Sequence, residues 1–182
     1  MTCCGFAIGP RPCRMTSPTE RLAIRPATAA DVAALGRLGA LLVHMHHELD
    51  PARFLAATPR TEEGYGRFLG SQLGEQGVVV LVAPRDGLVV GYTYATVEGH
   101  DWMALRGPAG VVHDLVVDPA HRGSGVGRLL LETTISALRE RGVPRVVLSA
   151  AARNDAAQRL FARMGFRSTL VEMTRDLEAG AS

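Results

Sequence analysis

The sequence predicts an α/β domain, and three observations carry that prediction. Residues 116–131 run from an apolar strand pattern through a glycine-rich turn into an amphipathic helix. Residues 78–83 and 88–97 are β-patterned runs separated by the turn Pro84-Arg85-Asp86-Gly87, which reads as a hairpin. Strand and helix patterns then alternate through residues 145–175. At 182 residues the chain is long enough for one domain with a substantial core, and no internal repeat or low-complexity tract divides it.

Taken in order, residues 22–26 read as a first strand. Thr28 or Asp31 can then cap a helix in which Val32, Leu35, Leu38, Leu42 and Met45 recur at helical spacing, and Asp50-Pro51 ends it. A second, less apolar helix is expected over residues 62–75, followed by the hairpin. Residues 99–110 form a loop containing the single tryptophan, Trp102, and lead into a strand over 111–117. The next helix turns Leu131, Ile135 and Leu138 inward and stops at Gly142 and Pro144. A strand over 145–150, a helix opening near Asn154 and a final strand over about 169–175 complete the pattern.

Composition narrows the function. Twenty Lys and Arg against eighteen Asp and Glu give a formal charge of +2, with the basic residues scattered, so nothing marks a nucleic-acid surface. No apolar run approaches the ~20 residues of a membrane helix, and no signal-peptide core is recognisable, which leads us to expect a cytoplasmic protein with no membrane partner. Cys3, Cys4 and Cys13 precede every periodic segment, so they are not a disulfide framework. Residues 1–20 read as a disordered extension, with Met15 a plausible alternative start, residues 21–177 as the domain and 178–182 as a tail.

The glycine turn is the strongest chemical signal. Gly123, Gly125 and Gly127 alternate behind Arg122, leaving successive backbone N–H groups uncovered at the start of a helix whose dipole adds positive potential. A pyrophosphate suits such a site. The spacing is neither G-x-G-x-x-G nor a P-loop, which needs G-K-[ST] at the helix start. It is R-x-x-G-x-G. Together with its flanking strand and helix it resembles the acetyl-CoA loop of the GNAT N-acetyltransferase superfamily. Asn154-x-x-Ala157-x-x-Leu160-Phe161-x-x-x-Gly165-Phe166 resembles that family's second signature in order and spacing, and residues 22–34 resemble its first strand and helix, so the likeness covers about 21–177.

The resemblance implies a central mixed, twisted sheet of about six to seven strands with about four helices, and a splayed strand pair forming the acetyl-CoA cleft. It implies that the backbone of Leu115, Val116 and Val117 pairs with the pantetheine arm. Arg122, Gly123, Ser124, Gly125, Val126, Gly127 and Arg128 would bind the diphosphate, and Asn154 the cofactor arm, unless Asn154 only precedes a helix cap. Phe161 stands where the family commonly has a tyrosine that protonates the leaving thiolate; lacking a hydroxyl, it is expected to pack.

Attack on a thioester needs a neutral amine, hence a base or relay on the acceptor side. His113 and Asp114 are the candidates, His113 standing where several small-amine acetyltransferases carry a glutamate. An imidazole, with an ordinary pKa of about 6.5, suits the task; a structural role for the pair stays equally open. Strict alternation would put His113 on the face of Leu115 and Val117, and Asp114 on that of Val112 and Val116. The family shapes its acceptor site with the first two helices and their connection, which points to His46, His47, Glu48, Asp50 and Arg53. Asp101 and Trp102 would close the other side, and Tyr92 and Tyr94 could reach in from the central strand. The His44-Met45-His46-His47-Glu48 run lacks a zinc-site order, so pocket lining or structure outweighs metal. The expected activity is acetyl transfer from acetyl-CoA to a primary amine of a small, cationic acceptor. Acetylation of a protein amino group or aminoacyl-tRNA, and a non-catalytic acyl-CoA-binding module, stand as alternatives, and a homodimer is compatible with the sequence.

Overall fold

The computed structural model describes residues 23–177, so Cys3, Cys4, Cys13 and the sequence expectations for residues 1–20 and 178–182 lie outside the described residues. The elements are β1 (Arg25–Pro26), α1 (Val32–Leu49), α2 (Thr61–Gln72), β2 (Val78–Arg85), β3 (Leu88–Glu98), β4 (Ala109–Val117), α3 (Val126–Glu140), β5 (Val146–Leu148) and α4 (Asp155–Arg163). The strands form one sheet in sequence order, with β1 to β4 antiparallel and β5 parallel to β4. The mixed architecture is the expected one with five strands rather than six or seven among the described residues.

The missing strand is the one expected over 169–175. A strand exists only through pairing, and these residues meet no ladder; Glu172 is instead paired with Arg53 in the turn after α1. β5 is also shorter than expected, its pairing with β4 covering only Gly110–Val112 against Val146–Leu148.

The start of α1 is built by local chemistry. The Asp31 carboxylate accepts from the Thr28 backbone N–H at 2.8 Å, from the Thr28 hydroxyl at 2.9 Å and from both Arg25 terminal nitrogens, at 2.7 and 2.9 Å. The Arg25 guanidinium holds this carboxyl far below its ordinary range. One residue thus ties β1 to the turn that opens α1.

Two cores lie on opposite faces of the sheet. On one, Leu35 and Leu38 of α1 and Leu69 of α2 cover Val80, Val82, Tyr92, Tyr94 and Val116. On the other, Leu130, Leu131 and Leu138 of α3 and Phe161 of α4 cover Val79, Leu81, Ala95 and Val112. Each fully buried aliphatic side chain contributes about 1.5–3 kcal/mol, so these stripes, not helix propensity, fix the layers. The hydroxyl pair Thr93–Thr134, 2.7 Å apart and fully buried, pins α3 to β3 while Thr134 donates onward to the Leu130 carbonyl.

α1 and α2 cross at glycines. A Cβ on Gly36 would lie 2.4 Å from the Glu62 carbonyl oxygen, a backbone atom that cannot swing aside. Gly36→Ala should therefore destabilise the fold, because ~1–3 kcal/mol of overpacking outweighs the ~1 kcal/mol gain in helix propensity. Gly64→Ala, whose Cβ meets nothing within 4 Å, should instead be neutral or stabilising. Urea denaturation of both variants measures the two signs; a stabilised Gly36→Ala would disprove the close crossing.

Candidate active site

β4 and β5 part company after Val112 and Leu148, so β4 continues from His113 to Val117 with no β5 partner on that side. A cavity of about 60 Å³ occupies the divergence, lined by Leu42, Met45 and His46 of α1, His113 and Leu115 of β4, Leu148 to Ala150, and Asn154, Ala157 and Phe161. A larger cavity, of about 270 Å³, lies away from these groups at the far edge of β5.

The glycine loop stands at the end of the same strand. Asp118 accepts from the Ala120 N–H at 3.1 Å and from Arg37 of α1 at 2.9 Å, and these bonds hold its carboxyl below the ordinary value. The turn Pro119–His121 follows, then Gly123 and Gly125 at φ of +75° and +86°, a conformation L side chains adopt only under strain. α3 begins at once, without a side-chain cap, and its first internal bond runs from the Leu129 N–H to the Gly125 carbonyl. The N–H groups of Val126, Gly127 and Arg128 are thus the unsatisfied donors of a helix start, aimed where an anion is favoured. The Val126 side chain itself is core, and Gly127 has room for a Cβ, so at these positions the backbone is what matters. Arg122 turns back: its Nε donates to the Val117 carbonyl at 3.1 Å and its guanidinium lies 3.4 Å from the Met45 sulfur. Arg128 pairs with Glu132 at 2.8 Å, and Ser124 donates to the His121 carbonyl.

A bulge rearranges the middle of β4. Tyr94 pairs with Asp114 but Ala95 pairs with Val112, leaving His113 as the extra residue. Simple alternation therefore fails: Asp114 shares its face with Val116 but not with Val112, which belongs to the opposite core, and His113 is stacked on Tyr94 at 5.1 Å. Both polar residues consequently reach the α1–α2 side.

Their environments differ. Asp114 is buried, and its Oδ2 accepts from the Tyr65 hydroxyl at 2.8 Å and the Tyr92 hydroxyl at 2.9 Å. Burial pushes its carboxyl above the ordinary 3.8 in spite of these donors, while burial and the neighbouring carboxylate push both phenols upward and keep them protonated. His113 is more open, with 37% of its side chain exposed. Its Nε2 lies 2.8 Å from Thr96 Oγ1, Thr96 donates to Glu98 at 2.9 Å, and Arg106 holds the other Glu98 oxygen at 2.7 Å. With the Thr96 proton committed to Glu98, Nε2 is the donor, and the neutral ring keeps its lone pair on Nδ1.

The other expected site residues divide. His46 lines the cavity, its Nδ1 against the Leu42 carbonyl, and Phe161 packs there edge-on to Phe166. Asn154 also lines it while its Oδ1 caps α4 through the Ala157 N–H, so it is itself the cap. Tyr92 is fully buried and Tyr94 bonds Gln72, and both belong to the core under α1 and α2 rather than to the cavity lining. His47 bonds the Phe54 carbonyl, Glu48 pairs with His44, Asp50 caps the turn at Ala52 and Arg53, and Arg53 pairs with Glu172. These four brace the end of α1 rather than line the cavity. Asp101 caps a tight turn at Met103 and Ala104, and Trp102 is 80% exposed beside His100. Among the described residues no group of three or more His, Cys, Asp or Glu side chains could hold a metal. Sequence reasoning missed Tyr65, Thr96, Glu98 and Arg106; only the shared face of Thr96 and Glu98, two residues apart, could have hinted at the pair.

The sequence profile of the acetyltransferase (GNAT) family matches residues 42–166, and the chain belongs to that family. A mycothiol acetyltransferase of Thermobispora bispora is 38% identical over 96 residues, covering 50% of this chain but 31% of that protein. An L-methionine sulfoximine/L-methionine sulfone acetyltransferase of Salmonella typhimurium is 36% identical over 94 residues, covering 51% of this chain and 53% of its own length. The chain therefore spans well under two thirds of these relatives. Among solved structures, a tetramutant Bacillus halodurans protein superposes with TM-score 0.74 at 22% identity, covering 86% of this chain and all, 100%, of its own. An aminoglycoside N-acetyltransferase in complex with CoA superposes with TM-score 0.64 at 17% identity, covering 87% of this chain and 96% of its own; the likeness is one of fold.

Tyr65→Phe removes one of two donors to a buried carboxylate and should cost about 1.5–3 kcal/mol at neutral pH. The sign with pH follows from the raised Asp114 pKa: losing the donor raises it further, so the deficit is full where the folded carboxyl is ionised and shrinks as pH falls toward 3.8. Denaturation at a series of pH values measures this; a deficit independent of pH would remove the carboxylate bond from the explanation.

Proposed function

We propose that the protein transfers the acetyl group of acetyl-CoA to a primary amine of a small, cationic acceptor by direct attack. The observation that carries this reading is the coincidence, along one strand, of a backbone edge at Leu115–Val117 that has no β5 partner, a glycine loop with uncovered N–H groups at its end, and His113 at the point of divergence. The diphosphate would lie on the N–H groups of residues 123–128, the pantetheine arm would add to the β4 edge, and the thioester would reach the cavity between His113 and Phe161.

In that arrangement His113 Nδ1 takes the proton of the attacking ammonium, directly or through a water, while Thr96 and Glu98 fix the ring from the other nitrogen. The amine nitrogen bonds the carbonyl carbon, gives up its second proton to solvent, and the C–S bond breaks as the tetrahedral centre collapses to amide and thiolate. The thiolate takes its proton from solvent, since Phe161 has none to give. Asp114, committed to two phenols, holds the bulge in place. Relatives named for mycothiol, for L-methionine sulfoximine and sulfone, and for an aminoglycoside support a small-molecule acceptor.

Release of free CoA in the presence of a panel of amino sugars, polyamines and amino-acid analogues tests the reading. Tight acetyl-CoA binding with no turnover on any amine would favour the non-catalytic alternative. Gly125→Asp, which forces a side chain into a left-handed position and adds a negative charge at the anion site, should weaken acetyl-CoA binding strongly in calorimetry with the fold intact; unchanged affinity would remove the loop from the site.

His113→Ala should lower kcat/KM by about 10² to 10⁴-fold with acetyl-CoA affinity preserved. A folded variant with full activity ends the assignment.

A further inference from the structure

The cavity where β4 and β5 diverge is lined by two imidazoles, and the reaction set out above uses only His113. The second is His46. Of the remaining lining side chains, Ser149 and Asn154 are polar but too weakly acidic to give up a proton, and the rest are apolar. Yet the chemistry has a second proton to place. A thiol such as that of cysteine has an ordinary pKa of about 8.5, so the departing thiolate must be protonated at neutral pH. Phe161 cannot carry that proton in from solvent.

His46 has the geometry for it. Its Nδ1 lies 2.9 Å from the Leu42 carbonyl, and a carbonyl only accepts. Nδ1 therefore keeps its hydrogen in both protonation states, and Nε2 is the nitrogen that gains and loses one. His113 is the reverse case, with Nε2 tied to Thr96 and Nδ1 free. The half-buried His46 ring is also held in place: Phe54 meets it edge-on with centroids 4.9 Å apart, and Arg53 lies over the Phe54 ring at 5.1 Å. The Phe54 carbonyl is bound in turn by His47 Nδ1 at 2.9 Å. The histidine run of α1 thus divides its duties. His47 fixes the clamp, His46 is clamped at the cavity wall, and His44 pairs with Glu48 on the helix surface.

We propose that His46 is the general acid of the reaction, its Nε2 delivering a solvent proton to the leaving sulfur; this rests on the acetyl-transfer reading above. As the tetrahedral centre collapses, the C–S bond breaks with its electron pair on sulfur. The Nε2–H bond breaks with its pair on nitrogen, and an S–H bond forms. The neutral ring then takes a proton back from solvent, which has received those lost by the ammonium. Of these, one is balanced by the thiol and one remains in solvent, so no further reactant is needed.

His46→Gln keeps an amide donor for the Leu42 carbonyl but cannot shuttle a proton near neutral pH. With acetyl-CoA it should turn over about 10² to 10⁴-fold more slowly than the parent at unchanged acetyl-CoA affinity, while His44→Gln, on the exposed side of α1, should match the parent. With the acetyl selenoester of seleno-CoA, whose selenolate leaves without a proton, His46→Gln should match the parent as well. A loss of equal size on both donors, or no loss on either, overturns the proposal. Imidazole nitrogen NMR of the full chain needs no acceptor. His46 Nδ1 should carry the hydrogen in the neutral ring, and CoA should move the Nε2 resonance where desulfo-CoA, which lacks the sulfur, does not. If no amine in the panel is acetylated, the acetyl-transfer reading falls, and this comparison still decides whether His46 faces the sulfur. An Nε2 resonance unmoved by CoA, or moved equally by both compounds, overturns the proposal.

Discussion

Everything about the site depends on two strands ceasing to pair. β4 and β5 share a ladder only as far as Val112 and Leu148, and from there the β4 backbone runs on along the gap without a strand partner, its Val117 carbonyl held by Arg122. Buried backbone groups without partners are costly, so such a gap persists only where water or a ligand completes it. α1 covers the opening from one side and α4 from the other. The glycine loop is carried at the tip of the same strand, so one piece of backbone sets the distance between anion site and cavity.

The bulge at His113 turns that gap into chemistry. Without it, alternation would send His113 and Asp114 to opposite faces, and one of them would sit in the apolar core beneath α3. With it, both address the α1–α2 side. They then separate by depth: Asp114 becomes a buried acceptor for Tyr65 and Tyr92, and His113 remains open, braced by Thr96, Glu98 and Arg106. Two adjacent polar residues thereby acquire different duties from one extra residue in a strand.

Much of this was legible in the sequence, for reasons that also explain the rest. The glycine loop and the hairpin were readable because glycines at positive φ and turn residues act locally. α1, α3 and α4 were readable because their apolar spacing is periodic. The bulge was not, since it depends on how β3 and β4 settle into register and leaves no mark on composition. Tyr65 was not, because it reaches Asp114 across α1 only where Gly36, Gly39 and Gly66 let two helices approach closely. The strand expected over 169–175 had the right residues and lacked a partner, and pairing is not a property of the segment alone. His47, Asp50 and Arg53 had the right chemistry for a pocket and instead hold the turn after α1, while Glu48 pairs with His44 on the helix surface.

The division of the core into two clusters has a consequence for how such a chain can change. Leu35, Leu38 and Leu69 pack against one face of the sheet, and the residues beneath the glycine loop pack against the other. Substitutions that reshape α1 and α2, and with them the wall offered to an acceptor, are absorbed on a face that does not pack Val126, Leu130 or Phe161, while Arg37 and Met45 of α1 still reach the loop through Asp118 and Arg122. The two halves of the site therefore rest on separate packing, joined by those contacts and by the strand they share.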